Sequence, residues 1–272
     1  GSAAVCKHTT TKNVTKITPA SFNGDGCVQT SAVCTACGYT KVISAAKIAK
    51  VSAPKLAKTV YTYNGKVQKP SVTVKDSTGK QLKSGADYTV NYPKGHKAVG
   101  RYGVQVKLKG KYKGSRTVYF TVKPKGTSIS KVTGGKKKIT VTWKKQTAQT
   151  TGYQIQYSTS SNFKNAKTVT VSKNSTTKKT ITGLKNGKKY YVRVRTYKTV
   201  KTGRKSTKYY SSWSKSKTTG TAKKSAPKGN TVYVSPTGKK YHYIKSCAGK
   251  HPIKTTLKEA KKNHTPCKKC AM

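Results

Sequence analysis

Carboxylates are almost missing from this chain. Across 272 residues only Asp25, Asp76, Asp87 and Glu259 are acidic, against 59 Lys and Arg, which leaves a formal charge of +55. Paired-carboxylate acid–base catalysis needs two acids close together, and divalent-metal chemistry on phosphates usually needs more. Four scattered acids readily supply neither, which argues against an enzyme. Long apolar runs are lacking too. No stretch approaches the ~18 consecutive apolar residues that cross a bilayer, so no membrane span is expected. A secretory leader is not visible, and Gly1-Ser2 reads as the scar of an expression tag, so the sequence is expected to be a trimmed, mature form.

What is abundant is positive charge, and most of it is Lys. With the opposite sign nearly gone, like-charge repulsion works against compaction and bound anions relieve it. Lys is a hydrated point charge, whereas the planar Arg fork suits bidentate reading of bases and phosphates. The balance favours diffuse attraction to anionic surfaces over sequence-specific recognition of nucleic acid.

Cysteine occurs in two islands, Cys6 to Cys37 and Cys247 to Cys270, with none between. The intervening chain alternates short β-type runs with Gly, Asn and Lys turns, the pattern of β-sandwiches. From about 52 to 124, Val60-Tyr-Thr-Tyr, Ser71-Val-Thr-Val, Tyr88-Thr-Val-Asn-Tyr, Tyr102-Gly-Val-Gln-Val-Lys-Leu and Thr117-Val-Tyr-Phe-Thr-Val each alternate apolar with polar residues. Asn64-Gly65, Asp76-Ser-Thr-Gly79, Lys94-Gly95 and Lys109-Gly110 break them. Asp76 and Asp87 fall at turns or strand starts, where a carboxylate bonds local backbone.

Tyr63-Asn-Gly-Lys, Pro70-Ser-Val-Thr-Val, Gly85-Ala-Asp-Tyr-Thr-Val, Gly100-Arg-Tyr and Gly110-Lys-Tyr-Lys-Gly114 together resemble the immunoglobulin-like modules of secreted Gram-positive bacterial surface proteins. The next region, about 126 to 221, resembles a fibronectin type III domain. Ile139-Thr-Val-Thr-Trp143 matches its second strand, whose Trp is a core residue, and Gly152-Tyr-Gln-Ile-Gln-Tyr157 matches the following one. Ile181-Thr-Gly-Leu184-Lys-Asn-Gly187, with Tyr190 and Val192-Arg-Val194, matches the approach to the sixth strand. Leu184 and Tyr190 have the spacing of that family's tyrosine corner. Tyr209-Tyr-Ser-Ser-Trp213 is expected to open the last strand, and these aromatics are expected to be core. The domain holds no acid, and no Arg-Gly-Asp tripeptide occurs.

In the C-terminal island, Cys267-Lys-Lys-Cys270 is a zinc knuckle, because two thiolates on one tight turn both reach a tetrahedral ion. Cys247 and a histidine complete the set, with His242 and His251 as candidates. The stretch from Val232 to His242, then Cys247-Ala-Gly-Lys, Thr256-Leu-Lys-Glu-Ala260 and Thr265-Pro-Cys267, resembles a small bacterial zinc module found at the ends of secreted proteins and some nucleases. That resemblance implies His242 as ligand. His264 reads as an exposed loop residue. Thr256 and Glu259 form a capping box for a short helix.

At the N-terminus, Cys6-Lys-His8 and Cys34-Thr-Ala-Cys37 form a second Cys3His set, and the segment resembles the zinc-ribbon-like units of the same class of proteins. Cys27 is a free thiol or replaces His8. Disulfides are the competing reading for a secreted protein, and the four N-terminal cysteines could pair. The three at the C-terminus leave one thiol over, whereas two Cys3His sites use six cysteines and the nearby histidines. Either cross-link would be structural, because units this small bury too little apolar surface to fold alone.

The expectation is therefore an all-β chain: a zinc-ribbon-like unit and linker at 1–51, an Ig-like sandwich at 52–125, a fibronectin type III domain at 126–222 and a zinc-binding unit with a short helix at 223–272. Linkers are expected near 41–53 and 222–230. The resemblance implies a secreted or extracellular bacterial protein, some of it retained at the cell envelope, whose sandwiches bind a protein partner; a host partner and a ligand-like role are included. The alternative from charge is a binder of anionic polymers: teichoic acid, sulfated or sialylated glycan, or extracellular nucleic acid.

Overall fold

The computed structural model describes residues 5–222 and 231–270; Gly1-Ser2 and most of the linker expected at 222–230 lie outside them. The chain is mostly β, with one α-helix, Leu257–Asn263, and a 3-10 turn at Lys245–Ala248 among the described residues. It divides into two compact units. One takes in the described part of Gly1–Lys125 with Ala148–Thr150 and Tyr197–Ser211; the other takes in Gly126–Thr147, Thr151–Thr196 and the described part of Ser212–Met272.

The first unit contains an Ig-like sandwich. Its central strand, Gly100–Leu108, pairs antiparallel with Tyr88–Asn91 and with Ser115–Lys123, and Val60–Thr62 adds to the latter in parallel. Lys55–Leu56 and Val72–Thr73 form a small second sheet. Strand alternation sorts the side chains: Val104, Val106 and Leu108 are buried, while Gln105 and Lys107 face out. Val104 packs with Phe120 and Val122, and Val106 and Leu108 pack with Val74, Leu82, Tyr88 and Tyr112. At about 1.5–3 kcal/mol for each fully buried large aliphatic or aromatic side chain, these rows hold the sandwich together.

Three antiparallel strands, Thr11–Thr18, Gly26–Cys34 and Thr40–Ile48, form a separate sheet in this unit. This corrects the reading of 41–53 as linker: Thr40–Ile48 is a strand, laddered on Gly26–Cys34 through a bulge at Thr30 and Ser31. Eight of its nine residues are exposed, Val42 and Ile43 among them, so its apolar residues mark no buried face. At its base, Ala20, Ile48 and Val51 join the sandwich core around Val74 and Tyr112.

Asp76 shows what the acids do. It is buried, and its Oδ1 accepts from Thr78 N–H (2.9 Å), Thr78 Oγ1–H (2.6 Å) and Lys80 N–H (3.0 Å). Gly79 closes the turn at φ 90°, a conformation that favours glycine. Asp87 accepts from Lys83 N–H (2.8 Å), and Asp25 accepts from Lys50 N–H (2.7 Å) and pairs with Lys47 (2.8 Å).

In the second unit, one sheet orders Ile129–Gly135, Lys138–Trp143 and Lys178–Ile181. The other orders Lys167–Val171, Gly152–Ser158 and the early part of Lys189–Thr202, which pairs with Lys217–Gly220; from Tyr197 on, this strand counts with the first unit and pairs there with Lys205–Tyr210. Trp143, Tyr153, Ile139, Ile155, Val192 and Val194 are the buried centre, so Trp143 is the core residue its motif implies. Tyr190 is buried, and its phenol oxygen accepts from Lys185 N–H (3.2 Å), which ties the turn before the strand to the strand itself.

Trp213 departs from expectation. It lies after the strand Lys205–Tyr210 rather than opening one, and it is half-buried outside the core cluster. Its indole lies against two guanidinium groups: Arg193 at 4.9 Å and Arg195 at 4.3 Å, with Phe163 on Arg193 at 4.0 Å. The ladder arises because Arg193 and Arg195 are on the outward side of a strand whose Val192 and Val194 point inward.

The C-terminal sheet orders Ile253–Thr256, Thr231–Val234, Lys240–His242 and Thr265–Pro266. Its core is small: Val232, Val234, Tyr241 and Ala260, with Tyr243 and Leu257 against them. Thr256 caps the helix as its spacing predicts, its hydroxyl accepting from Glu259 N–H (3.2 Å). His264 is not the exposed loop residue expected from sequence. It is half-buried at the helix C-cap, where its backbone N–H donates to Ala260 O (2.9 Å).

Hydrogen bonds led by that from Thr78 hold the Asp76 carboxyl below its ordinary value of 3.8. A folded-state value below the unfolded one contributes stability above the unfolded value and loses it as pH falls through the folded value. Asp76→Ala should cost about 1–3 kcal/mol at neutral pH. Hydrogen exchange at Leu82, whose N–H donates to Val74 O beside this turn, measures it. The gap between the two proteins should begin to narrow as pH falls below about 4 and close only below the folded value. An equal gap at all pH values would mean that packing, not the charge, is what the substitution removes.

Candidate functional site

Four residues from separate strands and turns meet at each end of the chain. At the N-terminal end, Cys6, His8, Cys34 and Cys37 bring one ligand atom each to within 4.8 Å of all the others. At the C-terminal end, His242, Cys247, Cys267 and Cys270 do the same. All eight are residues singled out by spacing and resemblance.

The local fold explains each meeting. Cys34 ends the strand Gly26–Cys34, and a tight turn returns to it: Gly38 N–H donates to Cys34 O (2.9 Å), with Gly38 at φ 75°. The segment before the first strand carries Cys6 and His8 across, and His8 stacks on Tyr39 at 4.3 Å. In the other cluster, His242 ends the strand Lys240–His242 and Cys247 lies in the 3-10 turn. Cys270 N–H closes the knuckle on Cys267 O (3.3 Å).

The spacing is that of metal ligands rather than of disulfides. Sulfur atoms stand 3.6 Å apart between Cys6 and Cys34, and 3.9 Å between Cys247 and Cys267. A disulfide needs about 2.05 Å, whereas tetrahedral thiolates at about 2.3 Å from one zinc are about 3.8 Å apart. The sulfur–nitrogen edges agree: Cys37 Sγ to His8 Nδ1 is 3.2 Å and Cys270 Sγ to His242 Nδ1 is 3.5 Å, against about 3.5 Å for a tetrahedral zinc. Three thiols and an imidazole in this arrangement fit zinc. All four tetrahedral positions would be filled by protein, the closed form of a structural site.

His251 is exposed and outside the cluster, so His242 is the imidazole that the geometry supplies. Cys27 is half-buried and in neither group. The two clusters differ in their shelter. Cys37 and His8 are exposed, whereas Cys267 and Cys270 are buried. A hydrogen bond from His8, then backbone N–H groups of Cys37 and Ala36, draw the Cys34 thiol down to about 6. Burial drives Cys247 up to about 11 and lowers His242.

The remaining histidines have other neighbours. His96 bonds Gln68 O through Nδ1 and lies among the rings of Tyr92, Tyr102 and Phe120. The arginine ladder on Trp213 was not foreseen, although Val192-Arg-Val-Arg195 already placed two guanidinium groups on one outward face. Amide oxygens bond the ladder: Gln156 accepts from Arg193 Nε (2.7 Å) and Gln154 from Arg195 (2.7 Å).

Sandwich modules with a closed Cys3His cluster at either end define a multi-module β protein. Its second sandwich is a fibronectin type III domain: the family model of that description matches residues 122–212. A comparison with curated proteins found no match. Among solved structures, the FN1–FN3 domains of chicken CNTN1 are similar at 18% identity and TM-score 0.33, over 73% of this chain and 78% of that one. Domains A168–A170 from titin are similar at 13% identity and TM-score 0.28, over 77% of this chain and 83% of that one.

Metal analysis of the purified chain should find about two zinc ions per molecule, as two closed sites require. A thiol reagent should then titrate Cys27 first, and a chelator should release the other six of the seven cysteines, the exposed N-terminal set ahead of the buried C-terminal one. Rapid reaction of all seven without chelator would remove the metal assignment. Thiols that appear only after reduction would replace it with disulfides.

Proposed function

We propose that this is a secreted or surface-associated bacterial protein that binds without catalysis, its sandwich modules engaging a protein partner; a host partner and a ligand-like role fall within this reading. The observation that carries it is the employment of the acids. Asp25, Asp76, Asp87 and Glu259 each have a local backbone or lysine partner at a turn, a strand or the helix. His8 and His242 belong to the Cys3His clusters and His96 lies among aromatic rings; of the other two, His251 is exposed and His264 meets the helix end through its backbone N–H. Little is left to move a proton or hold a catalytic magnesium. The fibronectin type III domain at 122–212 adds a fold that presents loops and strand edges from a rigid core. The bacterial, extracellular setting rests on the resemblance of the Ig-like and terminal segments to Gram-positive surface proteins.

A second reading, binding of anionic polymers, is favoured by a separate observation. Lys47–Asp25 and Lys262–Glu259 form ion pairs, and four carboxylates are too few to partner 59 cations. Among the described residues no helix is long and apolar enough to cross a membrane.

Immobilised full chain exposed to host and bacterial envelope extracts separates the two. A protein retained at about 1 M salt, where the screening length is about 3 Å, would support the modular reading, provided that changes in sandwich loops release it. Retention of polymers alone, lost by moderate salt, would leave only the second. Turnover of any substrate, abolished by one substitution, would overturn both.

A further inference from the structure

We propose that the fibronectin type III domain carries a binding cleft for an acidic sugar chain, formed between the turn after Gly152–Ser158 and the turn before Lys189–Thr202. This rests on the anionic-polymer reading and narrows it to one place. The cleft has a volume of about 490 Å³, enough for one or two sugar rings. Tyr157 and Tyr190 line its floor, their rings 6.3 Å apart and tilted by 55°. Lys164, Lys167, Lys185 and Lys188 stand around it, all exposed.

Three features make this more than a patch of surface lysines. The first is construction. Ser158 is buried beneath the first turn; its hydroxyl donates to Lys164 O (2.8 Å) and accepts from Ser160 N–H (3.0 Å), which fixes the backbone that carries Lys164. Tyr190 accepts from Lys185 N–H, and Lys188 N–H is held by Thr221 Oγ1 (3.1 Å), so the opposite wall is fixed as well. Ordered backbone on both sides means that ligand binding freezes only the lysine side chains, the smaller part of the entropy cost.

The second is charge. No Asp or Glu occurs between residues 126 and 222, so nothing within the domain neutralises these four ammonium groups. The third is the floor. Tyr190 is only 6% exposed and the rings are tilted, so they offer edges and partial faces to a ligand rather than an open plane. A base needs a free face on which to stack. The C–H side of a pyranose ring is content with a half-open aromatic floor, while its sulfate or carboxylate substituents reach the surrounding lysines.

The test uses the full chain and a heparin-derived tetrasaccharide at physiological salt, with isothermal calorimetry for affinity and ring NMR signals for place. Lys164→Gln with Lys188→Gln should weaken binding roughly tenfold, as expected for two lost ion pairs of up to about 1 kcal/mol each. Lys178→Gln with Lys179→Gln removes the same charge from an exposed strand outside the cleft and should change it by less than about twofold. The signals of Tyr157 and Tyr190 should move on titration. Equal losses from both pairs of substitutions, or unmoved tyrosine signals, would overturn the cleft while leaving diffuse polymer attraction standing. Equal competition by an oligothymidylate of matched charge would show that the site counts charge only, which also overturns it. No binding by the wild-type chain to either the tetrasaccharide or the long polymer would remove both the cleft and the reading beneath it.

Discussion

With four carboxylates for 59 cations, this fold cannot pair its charges, and its polar organisation follows from that constraint. Acids occur where a backbone turn or end needs an anion: Asp76 gathers N–H groups from Thr78 and Lys80, and Asp25 ties Lys50 to the sheet. Elsewhere, tasks that carboxylates usually perform pass to neutral groups. Arg193 and Arg195 lie against Gln156, Gln154, Phe163 and Trp213, so amide oxygens and ring faces hold their guanidinium groups in place. Such contacts order a cation without cancelling it, so the domain keeps its charge and its geometry together.

Thiolates on a bound zinc ion would be the other source of negative charge. A zinc ion held by three thiolates and one imidazole carries a net charge of −1, so each closed cluster would add an anionic centre to a cationic chain. The C-terminal unit needs such a centre for a second reason. Its core is four buried side chains, Val232, Val234, Tyr241 and Ala260, and an apolar cluster of that size supplies little towards ordering the residues around it. Metal binding at His242, Cys247, Cys267 and Cys270 would be coupled to folding there. The N-terminal sheet differs: Ala20, Ile48 and Val51 sit in the sandwich core, so its lower end has apolar support independent of Cys6, His8, Cys34 and Cys37.

Where burial alternates, the fold was legible from sequence. Tyr102 to Leu108 and Ile139 to Trp143 write their buried faces directly into the residue order, and the Cys-x2-Cys spacings brought thiols onto tight turns as expected. Legibility failed where a strand has no buried face, as in Thr40–Ile48, whose backbone ladder is its main tie. It failed again at Trp213, because an indole against two arginines needs no core, and at His264, whose place comes from the end of a helix. The Cys3His clusters were visible as residue sets, and His242, which the resemblance already preferred to His251, ends the strand Lys240–His242 beside the knuckle. The tyrosine floor was hidden for a different reason. Tyr157 and Tyr190 are 33 residues apart in the chain, and only the pairing of their strands brings them together.

Fold and surface are separable in this protein, and that separation bears on what it can bind. The buried centres around Trp143 and around Val104 are built from apolar and tyrosine side chains, with His96 beside Phe120 at the edge of the second. A surface of bare lysines attracts any polyanion, and by itself it discriminates poorly because hydrated point charges impose little direction. Selectivity has to come from places where the backbone is fixed and something besides charge is offered. In the fibronectin type III domain the fixed turns about Tyr157 and Tyr190 meet that condition, with an aromatic floor inside a ring of ammonium groups. Long-range attraction would then concentrate acidic polymers at the protein, and the cleft would select among them by ring shape, a division of labour that needs no carboxylate at all.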